Sequence, residues 1–169
     1  ILHDGDISQS INLNIIGTCN LVKVCSELNI KLIYFSTSYV YEGTKGNYKE
    51  EDPVKPFNNY GLSKLAGECA VQMYKNSLIL RITMTEKPFA YKRAYTNLKT
   101  NFMFHEDLVN YLPKLINKRG IINVGGKPQS VFKFARQFNK KVKAIKASRF
   151  VKLPLNQTMN ISLLKKLIK

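Results

Sequence analysis

The chain has 169 residues, 44% of them hydrophobic, and its 27 Lys and Arg outnumber 11 Asp and Glu for a formal net charge of +16. This length fits one domain with room for a small second lobe, and the apolar content is ample for a core. No apolar run approaches the roughly 18 residues of a membrane-spanning helix, and the basic charge comes without a zinc finger or a stacking-aromatic pattern, so nucleic acid is not expected as a partner. Residues 8–29 read as a long amphipathic helix, with Ile11, Ile15, Cys19, Val22 and Cys25 at helical spacing and Asp6 or Ser8 able to cap its start. Residues 31–35 are short and almost wholly apolar, as buried parallel strands are. Residues 36–59 hold Gly43, Gly46, Pro53 and Pro56, breakers that mark a loop. A helix follows over 60–74 and a second buried strand over 77–82. Residues 85–100 read as irregular. A helix starts at His105 and runs to Ile116, with Glu106 and Asp107 in its favourable first turn. Residues 120–124 form a strand, Ser130 caps a helix to about Asn139, residues 142–147 suit one more short strand, and Ser162 caps a final basic helix. Strands alternating with helices predict an α/β fold with a parallel sheet.

Tyr60 and Lys64 lie four residues apart at the start of the 60–74 helix, on one helical face. A phenol normally titrates near ~10, and a neighbouring positive charge favours phenolate and lowers that value. A tyrosine so tuned can hand a proton to a carbonyl oxygen or take one from a hydroxyl. A hydroxyl at the end of the preceding strand, which runs into Ser36, Thr37 and Ser38, can hold that same oxygen. The plainer reading is a surface Tyr and Lys on a helix and hydroxyls that cap a turn, with Ser36 structural. Glu50, Glu51 and Asp52 read as residues that order a loop. His3 and His105 match no ligand set, His105 reads as helix-start surface, and no metal site is expected. Cys19, Cys25 and Cys69 lack zinc spacing and read as buried thiols of a reducing compartment.

Three runs of the sequence together carry a family resemblance. They are YFSTSYVYEG at 34–43, TKGNYKEEDP at 44–53 and PFNNYGLSKLAGE at 56–68. They resemble the extended short-chain dehydrogenase/reductases, most of all the dTDP-4-dehydrorhamnose reductase branch of the nucleotide-sugar epimerase, dehydratase and reductase group. The branch pattern is roughly S-T-D-Y-V-F-x-G followed by P-x-N-x-Y-G-x-S/T-K-x-x-G-E. Ser38 departs from it, since the branch has Asp there. The resemblance is dense from about residue 14 to residue 81 and looser beyond.

The resemblance implies a partial Rossmann-like parallel sheet with flanking helices, its N-terminal strands missing, plus a small C-terminal substrate-side lobe. Residues 1–82 would be the C-terminal half of the Rossmann-like domain and carry the catalytic residues, with residues 1–7 as the loop before a central helix. Residues 83–169 would be a mixed substrate-side region with late sheet elements. The implied activity is NAD(P)-dependent reduction or epimerisation, by hydride transfer at C4 of a 4-keto-6-deoxy sugar nucleotide. Tyr60 would be the acid. Lys64 would lower its pKa and bind the ribose hydroxyls, so that both contact the cofactor. Thr37 would hold the carbonyl oxygen, with Ser38 also on the substrate; Arg81 would contact the substrate or brace the site, its plainer reading being a salt bridge at the sheet edge, and Asn14 would support Lys64. The implied setting is cytoplasmic, with a nucleotide-sugar substrate, no membrane, and a homo-oligomer as the family allows. The glycine-rich turn that cradles a dinucleotide pyrophosphate does not occur in these residues. The chain therefore looks like the catalytic and substrate-side portion of a larger enzyme, expected by itself to bind NAD or NADP poorly. The other reading is a non-catalytic remnant or regulatory binding module of the same fold.

Overall fold

The computed structural model describes residues 6–148 and 153–169; His3 and residues 1–5 of the expected first loop lie outside them. In chain order the elements are helix α1, which passes from an α turn at Ile7–Ser10 through a π-helical segment at Ile11–Ile16 into an α-helix at Gly17–Glu27, then strand β1 (Leu32–Thr37), a 3-10 turn (Ser38–Val40), helix α2 (Asn59–Gln72) and strand β2 (Ser77–Ile82). Four short strands follow, β3 (Met84–Thr85), β4 (Arg93–Tyr95), β5 (Lys99–Thr100) and β6 (Met103–Phe104). The remainder is α3 (His105–Leu115), β7 (Gly120–Val124), β8 (Gln129–Ser130), α4 (Val131–Phe138), β9 (Lys143–Ile145) and α5 (Ser162–Leu167).

Asp6 starts α1 by accepting a hydrogen bond from the Gln9 backbone N–H at 2.8 Å, as an N-cap carboxylate does. The π-helical turn, in which the Gly17 N–H reaches back to the Asn12 carbonyl, holds one residue more than an α turn and shifts the phase of the helix. As a result Ser10, Asn14 and Thr18 turn inward, while Ile11 and Cys19 are exposed. The stripe expected through Ile11, Ile15 and Cys19 is thus displaced. Cys69 is exposed as well, so only Cys25 of the three thiols is buried.

Strands β1, β2 and β7 form a parallel sheet in the order β1-β2-β7. The two apolar runs expected to be neighbours are so, with Leu32 opposite Ser77 and Thr37 opposite Ile82. Strand β1 runs two residues past its expected end, so Ser36 and Thr37 belong to the sheet and not to the loop. All six residues of β2 are buried, as a central parallel strand requires. One face of the sheet presents Leu78, Leu80, Ile82, Ile122 and Val124 to Leu108 and Leu115 of α3 and Leu164 of α5. Each such side chain contributes about 1.5–3 kcal/mol on burial. The other face packs Tyr34 and Ile79 against Val71 of α2 and Val22 of α1.

The segment expected to be irregular, residues 85–100, contains short strands because its backbone partners are distant in sequence. Strand β4 pairs in parallel with β9, and β5 pairs antiparallel with β8. A second core of Phe89, Phe104, Val131, Phe134 and Val142 sits beneath them. Ser130 caps α4 as expected, accepting from the Lys133 N–H at 3.2 Å. Ser162 does not cap α5. Its own N–H donates to the Asn160 side chain at 2.9 Å instead.

Candidate active site

Because β1 and β2 are parallel, their carboxyl ends lie side by side, which is where open α/β sheets place ligands. Helix α2 begins against that edge. Asn58 caps it, accepting from the Gly61 N–H at 2.8 Å. Gly61 itself permits the contact, since a Cβ there would stand 2.3 Å from the Tyr39 carbonyl oxygen. The result is a cavity of about 260 Å³ whose wall includes Ser36, Thr37, Ser38, Tyr60, Thr83 and His105.

The Thr37 and Tyr60 hydroxyls are hydrogen-bonded to each other, and Thr37 Oγ1 also accepts from the Tyr39 N–H at 3.2 Å. The Tyr39 ring stands edge-on to Tyr60, with centroids 6.0 Å apart. The hydroxyls of Ser36, Ser38 and Thr83 are buried and have no hydrogen-bond partner among the described residues. Leaving a buried hydroxyl unpaired costs about 1–3 kcal/mol. All three residues contribute to the cavity wall.

Lys64 lies one turn beyond Tyr60 and does not line this cavity. Its Nζ sits 4.0 Å from the centroid of the Tyr34 ring, and the Tyr34 hydroxyl donates to the Lys64 carbonyl oxygen at 3.2 Å. Burial pulls the Lys64 amine down to about 8, against the opposing pull of Glu68. Burial pushes the Tyr60 phenol above its ordinary value, with the Thr37 hydrogen bond working the other way. The expectation that Lys64 lowers the Tyr60 pKa is therefore corrected: desolvation dominates, and the ammonium is engaged with Tyr34 instead.

Arg81, expected either to contact the substrate or to brace the site, does not line the cavity. Its Nε donates to both Glu68 carboxylate oxygens at 3.1 and 3.2 Å, and Nη2 donates to Oε2 at 2.7 Å. Nη1 donates to the Tyr41 hydroxyl at 2.8 Å and the Glu50 carbonyl at 3.1 Å. The guanidinium is buried and all three of its nitrogens donate hydrogen bonds, so Arg81 braces β2 against α2. This accounts for the Glu of the Gly-Glu pair that ends the helix motif. Its Gly67 is accounted for by space, because a Cβ there would meet the Tyr34 hydroxyl at 2.3 Å and the Asn14 carbonyl at 2.8 Å. Asn14 supports α2 from the π-helical segment, donating to Ser63 Oγ at 3.0 Å, and Ser63 in turn donates to the Tyr60 carbonyl at 2.9 Å. The acidic loop orders itself as expected. Asp52 accepts from the Lys49 N–H at 2.9 Å, and Glu50 accepts from the Asn123 N–H at 3.0 Å.

Sequence reasoning missed Thr83 and the place of Ser36 in the cavity wall, whereas His105 is exposed at the start of α3, as expected, and lines the cavity as well. For Thr83 the signal was present, since it follows directly on the carboxyl end of a buried parallel strand. Among the described residues no group of three or more His, Cys, Asp or Glu could hold a metal ion, and no helix is long and apolar enough to cross a membrane.

The family described as the RmlD substrate binding domain matches residues 5–103. Over 71 residues the chain is 41% identical to methionine adenosyltransferase 2 subunit beta of Xenopus laevis, a stretch covering 41% of this chain and 21% of that protein. A hypothetical dTDP-4-dehydrorhamnose reductase from Sulfolobus tokodaii superposes with a TM-score of 0.80 at 28% identity, over 90% of this chain and 64% of that one. The dTDP-4-dehydrorhamnose reductase of Bacillus anthracis in complex with NADP has the same fold, with a TM-score of 0.78 at 23% identity and the same two coverages, 90% and 64%. The chain thus spans less than two thirds of these solved relatives and matches about a fifth of the curated one. With its family match spanning more than half of its length, its parallel sheet and its Thr37–Tyr60 cavity, the chain belongs to the RmlD substrate binding domain family.

Proposed function

We propose that this chain carries the carbonyl-binding half of an NAD(P)-dependent nucleotide-sugar reductase. The observation that carries the reading is the cavity in which the hydrogen-bonded Thr37 and Tyr60 meet three buried, unpartnered hydroxyls. Such a wall suits a ligand with a carbonyl and several hydroxyls, as a 4-keto-6-deoxy sugar has. The same residues fit the nicotinamide-ribose end of a dinucleotide, while the glycine turn for its pyrophosphate does not occur within these 169 residues. When bound, the reduced dinucleotide supplies the hydride that reaches the sugar C4.

The chain's own part is binding and proton handling. Thr37 holds the carbonyl oxygen beside the Tyr60 phenol. Burial keeps that phenol protonated at neutral pH. It donates a hydrogen bond to the carbonyl and passes its proton on as the oxygen becomes an alkoxide, a far stronger base than phenolate. This favours the reducing direction. Lys64, held on the Tyr34 ring with a pKa of about 8, exchanges protons near neutrality and can share them with ribose hydroxyls. Ser36, Ser38 and Thr83 fix the sugar's orientation.

The test is turnover of a dTDP-4-keto-6-deoxy sugar by the protein carrying this chain, followed through the absorbance of reduced nicotinamide. Tyr60→Phe should lower the rate by about 10²–10⁴ with an unchanged melting temperature. Full activity in that variant would refute the reading. A second reading, a binding module without turnover, is favoured by the 41% identity to a protein named as a subunit of another enzyme. Nucleotide-sugar binding that is indifferent to Tyr60→Phe, with no turnover, would select it.

A further inference from the structure

The net charge is not evenly distributed. No Asp or Glu occurs after Asp107, whereas 15 of the 27 Lys and Arg do. Two of these late cations, Lys141 and Lys143, meet Lys92 and Arg93 from earlier in the chain at one concave place. A groove of about 660 Å³ is lined by Lys92, Arg93, Asn139, Lys141, Val142 and Lys143. It lies where β4 begins and where the turn after α4 leads into β9, and it shares no residue with the Thr37–Tyr60 cavity.

The strand pairing brings these cations together. Arg93 and Lys143 are direct partners in the parallel β4–β9 register, so their side chains leave the same face. The Lys143 N–H donates to the Lys92 carbonyl at 2.9 Å, which brings Lys92 to the same corner. Like charges directly opposite one another destabilise a strand pair. All four cations are exposed, and the salt bridges among the described residues use other cations. A three-residue ladder therefore carries an unrelieved repulsion that a bound multivalent anion would remove.

We infer that this groove is a binding site for a compact ligand bearing two or more phosphate groups, separate from the catalytic cavity. Its volume is that of a small-ligand site, roughly 300–1,000 Å³. The Arg93 guanidinium can fork onto phosphate oxygens, and the lysines act as point charges around it. A single-stranded nucleic acid would need aromatic platforms for its bases, and the groove wall holds none. The diphosphate could be free or part of a nucleotide, and the probes separate these sources.

The experiment is calorimetric titration of the protein with inorganic pyrophosphate and with dTDP at low ionic strength. It compares wild type, Arg93→Gln/Lys143→Gln and a control of equal charge change, Lys165→Gln/Lys166→Gln. Saturable pyrophosphate binding that weakens by about tenfold or more in the groove variant and stays unchanged in the control supports the site. Binding of dTDP at similar affinity marks the phosphates as the recognised part, and binding at least tenfold tighter marks a nucleotide ligand. Without anion, the groove variant should melt above wild type, because the repulsion is gone. Pyrophosphate at a fixed concentration should raise the melting temperature of wild type by more than that of the groove variant. No saturable binding, equal loss in the control, or binding seen only with a single-stranded RNA oligonucleotide would overturn the assignment. A groove variant that melts lower in anion-free buffer would remove its premise.

Discussion

Replacing Glu68 with Gln tests whether the buried ion pair, and not a substrate contact, explains the Arg81–Glu68 combination. The Glu68 side chain is 0% exposed and that of Arg81 is 4% exposed, with a closest N–O distance of 2.7 Å. Gln keeps the volume and one acceptor oxygen but leaves a buried guanidinium without its counter-charge. Removing one partner of such a pair costs about 3–5 kcal/mol. For a chain of this size each kcal/mol moves the melting temperature by roughly 2–4 °C, so Glu68→Gln should melt about 6–20 °C lower. The double variant Glu68→Met/Arg81→Met buries no charge and should recover most of the loss. It would still fall short of wild type by about 1 kcal/mol for each of the Tyr41 hydroxyl and the Glu50 carbonyl, which lose their donor. Urea unfolding of wild type, Glu68→Met, Arg81→Met and the double variant closes the cycle. A Glu68→Gln cost below about 1 kcal/mol, or a double variant as unstable as the summed singles, would refute the argument. So would a Glu68→Gln protein with native stability and only a raised KM, because that is the signature of a substrate ligand.

Three further outcomes are expected. Gly67→Ala should destabilise by about 1–3 kcal/mol, because its Cβ would stand 2.3 Å from the Tyr34 hydroxyl; Tyr34→Phe in the same protein should return part of that loss, as read by thermal melts of both. The folded-state pKa of Lys64, about 8, lies below its ordinary 10.5, so between these values the unfolded chain holds the extra proton and stability should rise with pH. Lys64→Met should flatten that rise, measured as the urea midpoint at about pH 7 and about pH 9.5. Thr83→Val removes a hydroxyl without a partner among the described residues and should leave the unliganded protein as stable as wild type or up to about 1 kcal/mol more so, while weakening nucleotide-sugar binding by about tenfold. A destabilised Thr83→Val would mean that the hydroxyl is satisfied in the resting protein.

The amino-acid order determined on its own what depends on neighbours along the chain. The apolar runs at 31–35 and 77–82 announce two parallel strands, and the caps at Asp6 and Ser130 follow from short polar side chains placed just before helical turns. The Tyr60-x-x-x-Lys64 spacing puts both residues on one helix behind a hydroxyl-bearing strand end, and Thr37 and Tyr60 do meet. What only the tertiary structure decided depends on partners far away in sequence. The π-helical turn that hides Thr18 and exposes Cys19 leaves no mark in the periodicity of the residues. Of the two roles open to Arg81 in the sequence, the brace is realised because Glu68 and Tyr41, 13 and 40 residues away, surround it. The Tyr60 pKa rises where a neighbouring lysine predicted a fall, because desolvation is a property of the packed site and not of helical spacing. Arg93 and Lys143, fifty residues apart, become neighbours only through the β4–β9 register. Capping and periodicity act within a few residues of a turn or strand, whereas burial, ion pairing and the shape of a cavity are fixed only once distant segments are packed together.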